Sequence, residues 1–445
     1  MVESGGLENR CVGNPCTEGS NPSPSASGPR PRHPSAGCRF ELRWACMDAA
    51  ITARMADLAI GFGANVQPGQ IVAIGGEPGK EYLVRALAES AYRHGARFVD
   101  VGWFDPWIKR ARIEHAAEDT LDFVPPWYGE RVLALGEHRA ARVALSGPSA
   151  PGLLEDLDPV RAGRDRLPSV KESGKVVNDR TTNWSIVPCP TPAWAKIVHP
   201  DLPADEALAK LEEQIVHVLR LDEDDPIAAW RERADTLVGV AGRLSGRRFN
   251  ALHYEGPGTD LTVGLLPGAR WQAARFETVD GIEHMPNLPT EEVFTTPDRA
   301  RVDGHVATTK PLVLIDGTVV RNLRVRFAGG RAVEVQADSA QDVMRTIIDT
   351  DEGAARLGEV ALVDDEGRIG KLDTVFYDTL LDENAASHIA LGVGFPFLVS
   401  DEDAERVNDS EIHIDFMIGS NEMKVTGITR DGDRVPLLVD GDWQI

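Results

Sequence analysis

The sequence predicts two folded domains, an α/β domain with a parallel sheet over residues 47–248 and an α+β, β-rich domain over residues 249–445. Helix and strand patterns alternate in the first region, whereas strand patterns separated by glycine-containing turns dominate the second. A length of 445 residues also favours two domains, because single hydrophobic cores rarely grow beyond about 250–300 residues.

The α/β prediction begins with a helix over residues 47–66, in which apolar side chains recur at helical spacing. A buried strand, IVAIGG, follows at residues 71–76. The next helix, residues 81–95, ends at Gly95, and a second strand covers residues 97–104. Short turns between these elements are typical of a parallel α/β layer.

The chain becomes loop-rich from about Pro151, and then two amphipathic helices are predicted at residues 205–221 and 224–244. We place the domain boundary near Arg248. The region beyond it consists mostly of strand patterns, and one helix is predicted over residues 339–358.

Residues 1–46 have a different composition from the rest, rich in Pro, Ser and Gly and poor in apolar side chains. Such a segment cannot bury enough apolar surface to offset the entropy of ordering, so we predict a disordered extension. The alternative is that Met47 is the natural start and that residues 1–46 are not native to the protein.

Bulk composition limits the classes of partner. The formal net charge of −23 argues against nucleic acid or an anionic membrane as a partner, because both require a basic surface. No apolar run is long enough to cross a bilayer. Only Cys189 lies after Met47, so the body has no disulfide framework, which favours a reducing cytoplasm.

Four acidic or histidine-containing stretches in the C-terminal half carry the predicted chemistry. They hold the pair Glu291-Glu292, then Glu359, then Asp382, Glu383 and His388, and finally His413 and Asp415. Carboxylates and imidazoles are the usual ligands of catalytic divalent metals. Four such stretches in one domain suffice for two adjacent ions, which suit the hydrolysis of a carbonyl or phosphoryl compound.

Each stretch also has an ordinary structural interpretation. Glu291 and Glu292 point to opposite sides of a regular strand, so both can serve one site only if the backbone turns there, and an isolated pair of this kind is better explained as a solvated acidic pair. Glu359 lies among apolar residues, where a carboxylate requires a metal or a salt-bridge partner. His413 and Asp415 alternate with isoleucines, so a strand directs both to one face, which favours a ligand pair.

The segments NLPTEEVFTTPD, TDEGAARLGEVAL, FYDTLLDENAASHIALG and HIDFMIGS together resemble the M29 family of thermophilic aminopeptidases. The resemblance runs from about Met47 to the C-terminus. It implies a two-domain cytoplasmic homodimer that removes N-terminal residues from short peptides. It also implies two divalent metal ions as cofactors, for which we expect zinc, cobalt or manganese.

The resemblance assigns roles to individual residues. It implies metal ligation by Glu292, Glu359, His388, His413 and Asp415, with Glu383 as a further ligand or a supporting group. Glu291 is the implied general base, by adjacency. The mechanism we expect is attack by a hydroxide that bridges the two metals, with Glu291 taking the proton that water loses and carrying it to the leaving amine.

One residue departs from the family pattern. The family has a tyrosine seven residues after the histidine of HIALG, and this chain has Phe395 there. A phenol can bind a metal or donate to an oxyanion, and phenylalanine can do neither. Two alternatives therefore remain: a related metallohydrolase acting on another amide, and a metal-binding protein that has lost catalysis.

Overall fold

The structure, a computed structural model, describes residues 47–165, 167–168, 170–314 and 318–445. The prediction for residues 1–46 lies outside this part of the chain. The helices within it are α1 Ala49–Asp57, α2 Glu81–Arg93, α3 Pro106–His115, α4 Pro126–Glu137, α5 Pro159–Arg164, α6 Lys171–Asn178, α7 Pro192–Val198, α8 Ala204–Val218, α9 Pro226–Arg247, α10 Gln341–Ile348 and α11 Thr379–Glu383.

The strands are numbered in chain order. They are β1 Ile71–Gly76, β2 Phe98–Trp103, β3 Ala141–Ser146, β4 Trp184–Pro188, β5 Ala251–Gly256, β6 Thr259–Leu265, β7 Gln272–Ala273, β8 Phe276–Glu277, β9 Glu283–His284, β10 Glu292–Thr295, β11 Pro297–Ala307, β12 Leu312–Val313, β13 Val319–Val320, β14 Arg324–Ala328, β15 Arg331–Gln336, β16 Leu357–Val363, β17 His388–Gly392, β18 His413–Met417, β19 Lys424–Ile428, β20 Arg434–Val439 and β21 Asp442–Trp443.

The N-terminal region contains the predicted parallel sheet, with strand order β2-β1-β3-β4. Helix α1 begins at the cap Asp48, whose side chain accepts hydrogen bonds from the backbone N–H groups of Ala50 and Ile51. It continues as a π-helical segment, Leu58–Gly63, which leads towards β1. Helices α8 and α9 correspond to the two predicted amphipathic helices.

The C-terminal region is rich in antiparallel sheet. One sheet has eight strands in the order β15-β14-β11-β6-β5-β19-β20-β21, and a second has five in the order β18-β17-β16-β10-β7. The central strand β16 of the second sheet is buried along its whole length, which explains its almost continuous run of apolar residues. This five-stranded sheet carries the predicted ligands.

The helix predicted over residues 339–358 is shorter in the structure, because α10 ends at Ile348. Beyond it, the Asp351 side chain accepts hydrogen bonds from the backbone N–H groups of Gly353 and Ala354, each at 2.8 Å. A side chain that bonds to nearby backbone competes with helical hydrogen bonding. The chain therefore turns there and enters β16 at Leu357.

Hydrogen bonds join the N-terminal region to the C-terminal one. The Gly147 N–H donates to Asp378 at 2.7 Å, and the Trp194 indole N–H donates to the carbonyl of Phe376 at 2.5 Å. The described residues from Met47 onward pack as one unit, and the boundary near residue 248 stays a prediction. Among the described helices, none has the length and apolar character needed to cross a membrane.

Candidate metal-binding active site

Five of the predicted ligands project from one face of the five-stranded sheet. Directly paired residues of an antiparallel sheet share a face, and side chains alternate along each strand. His388 pairs with Ala361, which in turn pairs with Phe294, and Glu292 lies two residues before Phe294. In the same register Glu359 and Asp415 both pair with Ala390, and His413 pairs with Gly392, so these three residues lie on the same face. The five residues, which we call the ligand cluster, are Glu292, Glu359, His388, His413 and Asp415.

The opposite face of this sheet is hydrophobic core. Val293, Val360, Leu362, Ile389 and Phe416 alternate with residues of the ligand face and are fully buried. Alternation of polar and apolar residues thus fixes the strand register, because a slip by one residue would bury the carboxylates in the core.

Donor atoms of the ligand cluster converge into two groups that share Glu359. The first group is Glu292, Glu359 and His388, and the second is Glu359, His413 and Asp415. Within each group the donor atoms lie within 4.8 Å of one another. His388 Nε2 is 3.0 Å from Glu292 Oε2, and His413 Nε2 is 3.2 Å from Glu359 Oε2.

Both histidines are oriented by backbone carbonyls. His388 Nδ1 is 2.9 Å from the carbonyl oxygen of Glu383, and His413 Nδ1 is 2.9 Å from that of Val393. If Nδ1 donates its proton to the carbonyl, Nε2 is left to face the carboxylates. This arrangement is typical of metal-ligating histidines, whose second nitrogen is held by an acceptor.

A buried oxygen in the cluster has a close contact with His388 but no well-directed hydrogen bond. Glu292 Oε2 is inaccessible to solvent and accepts no hydrogen bond of good geometry from the described residues. A buried carboxylate oxygen whose lone pairs are not fully used is costly, and a cation placed beside it would remove this cost. The donor set of carboxylates and imidazoles therefore fits a divalent metal.

The pKa values of the cluster reflect its dense negative charge. Burial raises the pKa of Glu359 to about 7, although a hydrogen bond with His413 acts against this rise. Burial alone would lower the pKa of His388, but the carboxylates of Glu292, Asp415 and Glu383 raise it to about 10. Protons thus occupy the site when no other cation neutralises it.

Glu383 lies beside the ligand cluster at the end of α11. Its Oε1 accepts hydrogen bonds from the side-chain amides of Asn287 at 3.2 Å and Asn384 at 3.3 Å. Burial and then the carboxylate of Asp415 raise its pKa well above the usual value. Glu383 belongs to neither of the two converging donor groups.

The structure places Glu291 apart from the ligand cluster, although it adjoins Glu292 in sequence. Its carboxylate lies 2.5 Å from Arg233 Nε and 3.3 Å from Arg220, both on the N-terminal helical region. Arg233 also binds Asp364 at 2.9 Å. Because successive side chains of a strand point to opposite sides, Glu292 faces the cluster and Glu291 faces these arginines. This placement does not favour Glu291 as a general base.

Two supporting features were not anticipated from the sequence. Asn384 accepts the Glu291 N–H at 2.7 Å and also binds Glu383, so one amide orients both acidic segments. The strand pairing of β16 with β17 is interrupted between Leu357 and Glu359 by a bulge at Gly358. The only sequence signals were an asparagine after a helix and a glycine inside a strand pattern.

Phe395 lies in an aromatic cluster next to the ligands. Its ring centroid is 5.7 Å from that of His413, 5.3 Å from Phe294 and 5.6 Å from Phe397. Phe276 packs against the other two phenylalanines of this cluster. The side chain at position 395 thus contacts the second donor group and contributes no polar atom to it.

Comparisons with known proteins identify the family of the chain. A family model described as thermophilic metalloprotease (M29) matches residues 49–443. The chain is 44% identical over 401 residues to aminopeptidase T of Thermus thermophilus, covering 88% of this chain and 98% of that protein. It is 38% identical to aminopeptidase 2 of Geobacillus stearothermophilus, with coverage of 88% and 97%. A solved structure, wild-type AmpT from Thermus thermophilus, matches with a TM-score of 0.78 at 43% identity, covering 89% and 99%.

Proposed function

The chain belongs to the M29 family of thermophilic metalloproteases and is a metal-dependent aminopeptidase, and we propose that it acts through two divalent ions on short peptides. The observation that carries the two-ion proposal is the pair of converging donor groups that share Glu359. A shared carboxylate is a ligand suited to bridging two neighbouring cations. Zinc, cobalt and manganese are the candidate ions.

The ligand cluster defines the residues that would hold the ions. Glu292, Glu359 and His388 would hold one ion. Glu359, His413 and Asp415 would hold the other, so Glu359 would belong to both sites. When bound, the ions supply Lewis acidity, which activates water and polarises the scissile carbonyl. The protein contributes preorganised geometry, because β16, β17 and β18 are hydrogen-bonded neighbours over a rigid core.

We assign proton transfer to Glu383 rather than to Glu291. Glu383 is the remaining buried carboxylate whose pKa is influenced by the cluster, and its Oε1 is held by two amide donors. Orientation by these amides would keep the other oxygen available to accept a proton and return it to the leaving amine. Glu291, held by Arg220 and Arg233, would instead anchor the strand that carries Glu292.

The remaining assignments extend the family resemblance. We propose a cytoplasmic homodimer, and we propose that residues 47–248 and 249–445 form its two domains. Size-exclusion chromatography with light scattering would test the homodimer, whose measured mass would be twice that of the chain.

Substitution within the cluster tests the site assignment. Glu292→Gln and His388→Ala each remove one donor from the first group, so bound metal and peptide hydrolysis are expected to fall together. Glu334→Gln, at an exposed position of strand β15, is the control and should change neither. Full metal content and full activity in either cluster variant would overturn the assignment.

A further inference from the structure

A row of aromatic side chains borders the ligand cluster. We call it the aromatic wall, and it consists of Trp184, Phe276, Phe294, Phe395 and Phe397. Neighbouring rings of the wall have centroids 5.3–6.1 Å apart. These distances lie within the range of about 4.5–7 Å that is typical of packed aromatic pairs. The wall is therefore one continuous surface.

The aromatic wall lies on the ligand face of the five-stranded sheet, opposite the main core. Phe294 follows Glu292 by two residues in β10 and pairs with Ala361 of the ligand face. Phe294 and Ala361 pack with the partly exposed phenylalanines of the wall in an apolar cluster that is separate from the main core. An apolar surface that lies outside the core and beside a polar site is suited to bind part of a ligand.

The ligand cluster is accessible to solvent at the end that the wall contacts. The His413 side chain is 29% exposed, whereas that of His388 is only 1% exposed. The ring of Phe395 lies 5.7 Å from the ring of His413. A substrate that reaches the second donor group therefore meets the aromatic wall.

The other end of the wall belongs to the N-terminal region. Trp184 lies in β4, with its ring 6.1 Å from that of Phe276. Two residues further along β4, Ile186 forms a β-bridge with Asn287. The Asn287 amide donates to Glu383 Oε1 at 3.2 Å. The aromatic wall thus extends from the second donor group towards the strand that contacts the proposed proton-transfer site.

The five side chains of the wall include no ionisable group. His284 packs beside Trp184 and Phe276, but burial lowers its pKa to about 4, so this imidazole is neutral at pH 7. The exposed Arg270 donates to the carbonyl of Phe397 at 3.1 Å, and its positive charge disfavours a basic side chain nearby. An apolar side chain gains free energy by contact with such a surface, whereas a polar one loses hydrogen bonds with water.

We infer that the aromatic wall binds the side chain of the substrate's N-terminal residue and makes the enzyme prefer a large apolar residue there. The inference rests on the proposed function, in which the ligand cluster holds the scissile bond of a short peptide. The N-terminal residue supplies the scissile carbonyl, so its side chain branches from the carbon next to the reacting centre. Phe276 and Phe397, whose rings are partly exposed, are specificity-determining residues.

The test compares kcat/KM for four dipeptides, Leu-Ala, Ala-Ala, Asn-Ala and Lys-Ala, on the metal-loaded full-length enzyme. Leu-Ala should exceed Ala-Ala by about 10- to 200-fold, the discrimination that an apolar pocket achieves for added methylene groups. Asn is close to Leu in size but polar, so Asn-Ala should also be at least about tenfold poorer than Leu-Ala. Lys-Ala should be poorer than Leu-Ala as well.

Phe276→Ala and Phe397→Ala each remove one ring, so the Leu-Ala to Ala-Ala ratio should fall about 3- to 10-fold in folded, metal-loaded protein. Phe397→Leu keeps an apolar side chain and should stay within about twofold of the wild-type ratio. Phe123→Ala makes the same change at a position that is 61% exposed, and it should keep the wild-type ratio.

Two results would overturn the assignment of the wall while leaving the aminopeptidase proposal intact. One is a wild type that hydrolyses Leu-Ala no better than Ala-Ala or Asn-Ala, a measurement that requires no variant. The other is a wild-type ratio in both folded alanine variants, Phe276→Ala and Phe397→Ala. A metal-loaded wild type that hydrolyses none of the four dipeptides would contradict the short-peptide proposal itself and the wall assignment with it.

Discussion

Glu292 and His388 meet across an intervening strand: their Oε2 and Nε2 atoms lie 3.0 Å apart, although β10 and β17 are separated by β16. The residue between them on the ligand face is Ala361, which pairs with His388. A larger side chain at this position would occupy the space between the two donors. The small residue in β16 is therefore part of the site, although it contributes no ligand.

The assignment of proton transfer to Glu383 predicts a separation of metal binding from catalysis. Glu383→Gln keeps the shape and the amide contacts but removes the proton acceptor, so kcat should fall about 10²- to 10⁴-fold with metal content retained. Metal content by mass spectrometry and steady-state kinetics on a dipeptide measure the two effects. Loss of metal in this variant would identify Glu383 as a ligand instead.

Glu291→Gln is the matched control for that variant, because it makes the same chemical change one residue from a cluster member. Glu291 faces Arg220 and Arg233, so folded, metal-loaded Glu291→Gln should keep kcat within a few-fold of the wild type. A kcat loss as large as that of Glu383→Gln would restore Glu291 as the general base.

Arg233 should be important for stability. It is buried between Glu291 and Asp364, and these two carboxylates are almost inaccessible to solvent. Arg233→Met leaves both without their principal cation, so the free energy of unfolding should fall by about 3–5 kcal/mol. Urea unfolding at pH 7 measures this. Arg243→Met, at an exposed position on the same helix α9, should change it by less than about 0.5 kcal/mol.

The bulge at Gly358 should be required for ligand placement. A Cβ at this position would lie 2.3 Å from the carbonyl oxygen of Val393 and 2.4 Å from that of Gly392. Both obstacles are backbone, so Gly358→Ala must shift the strand that carries Glu359 and should weaken metal binding at least tenfold. Gly242→Ala on α9, where an added Cβ would meet only open space, is the control and should leave metal affinity unchanged.

Phe395→Tyr tests the departure from the family pattern. The ring contacts His413, so an added hydroxyl would lie near the second donor group, where a donor to the oxyanion is worth about 10²- to 10³-fold in rate. We expect kcat to rise and KM to change little. Phe397→Tyr, in the same aromatic cluster, should have no such effect. An unchanged kcat in Phe395→Tyr would show that this enzyme does not use a phenol.

The ligand face was predictable because strand alternation is a local property. His413 and Asp415 are separated from each other by one isoleucine, and the sequence alone places them on one side of a strand. The partners of Glu291 were not predictable in this way. Arg220 and Arg233 lie 71 and 58 residues earlier, and only the packing of α8 and α9 against the sheet brings them near.

Two further differences have local physical causes. The helix predicted over residues 339–358 ends early because the Asp351 side chain accepts hydrogen bonds from the backbone of the following turn. Such bonds compete with helical hydrogen bonds, and the spacing of apolar residues gives no sign of them. The bulge at Gly358 brings this residue close to the backbone of Val393, which directly follows strand β17 and is distant in sequence. The spacing of apolar residues along the sequence cannot predict long-range contacts of this kind.

The most direct test of the central claim is amino-acid release by protein stripped of metal and then reloaded with zinc, cobalt or manganese, with bound metal quantified in the same samples. We predict no release by the stripped protein, restored release at two bound ions per chain, and neither in Glu359→Gln, because Glu359 belongs to both donor groups. Release that persists without metal, or that Glu359→Gln retains in full, would contradict the account.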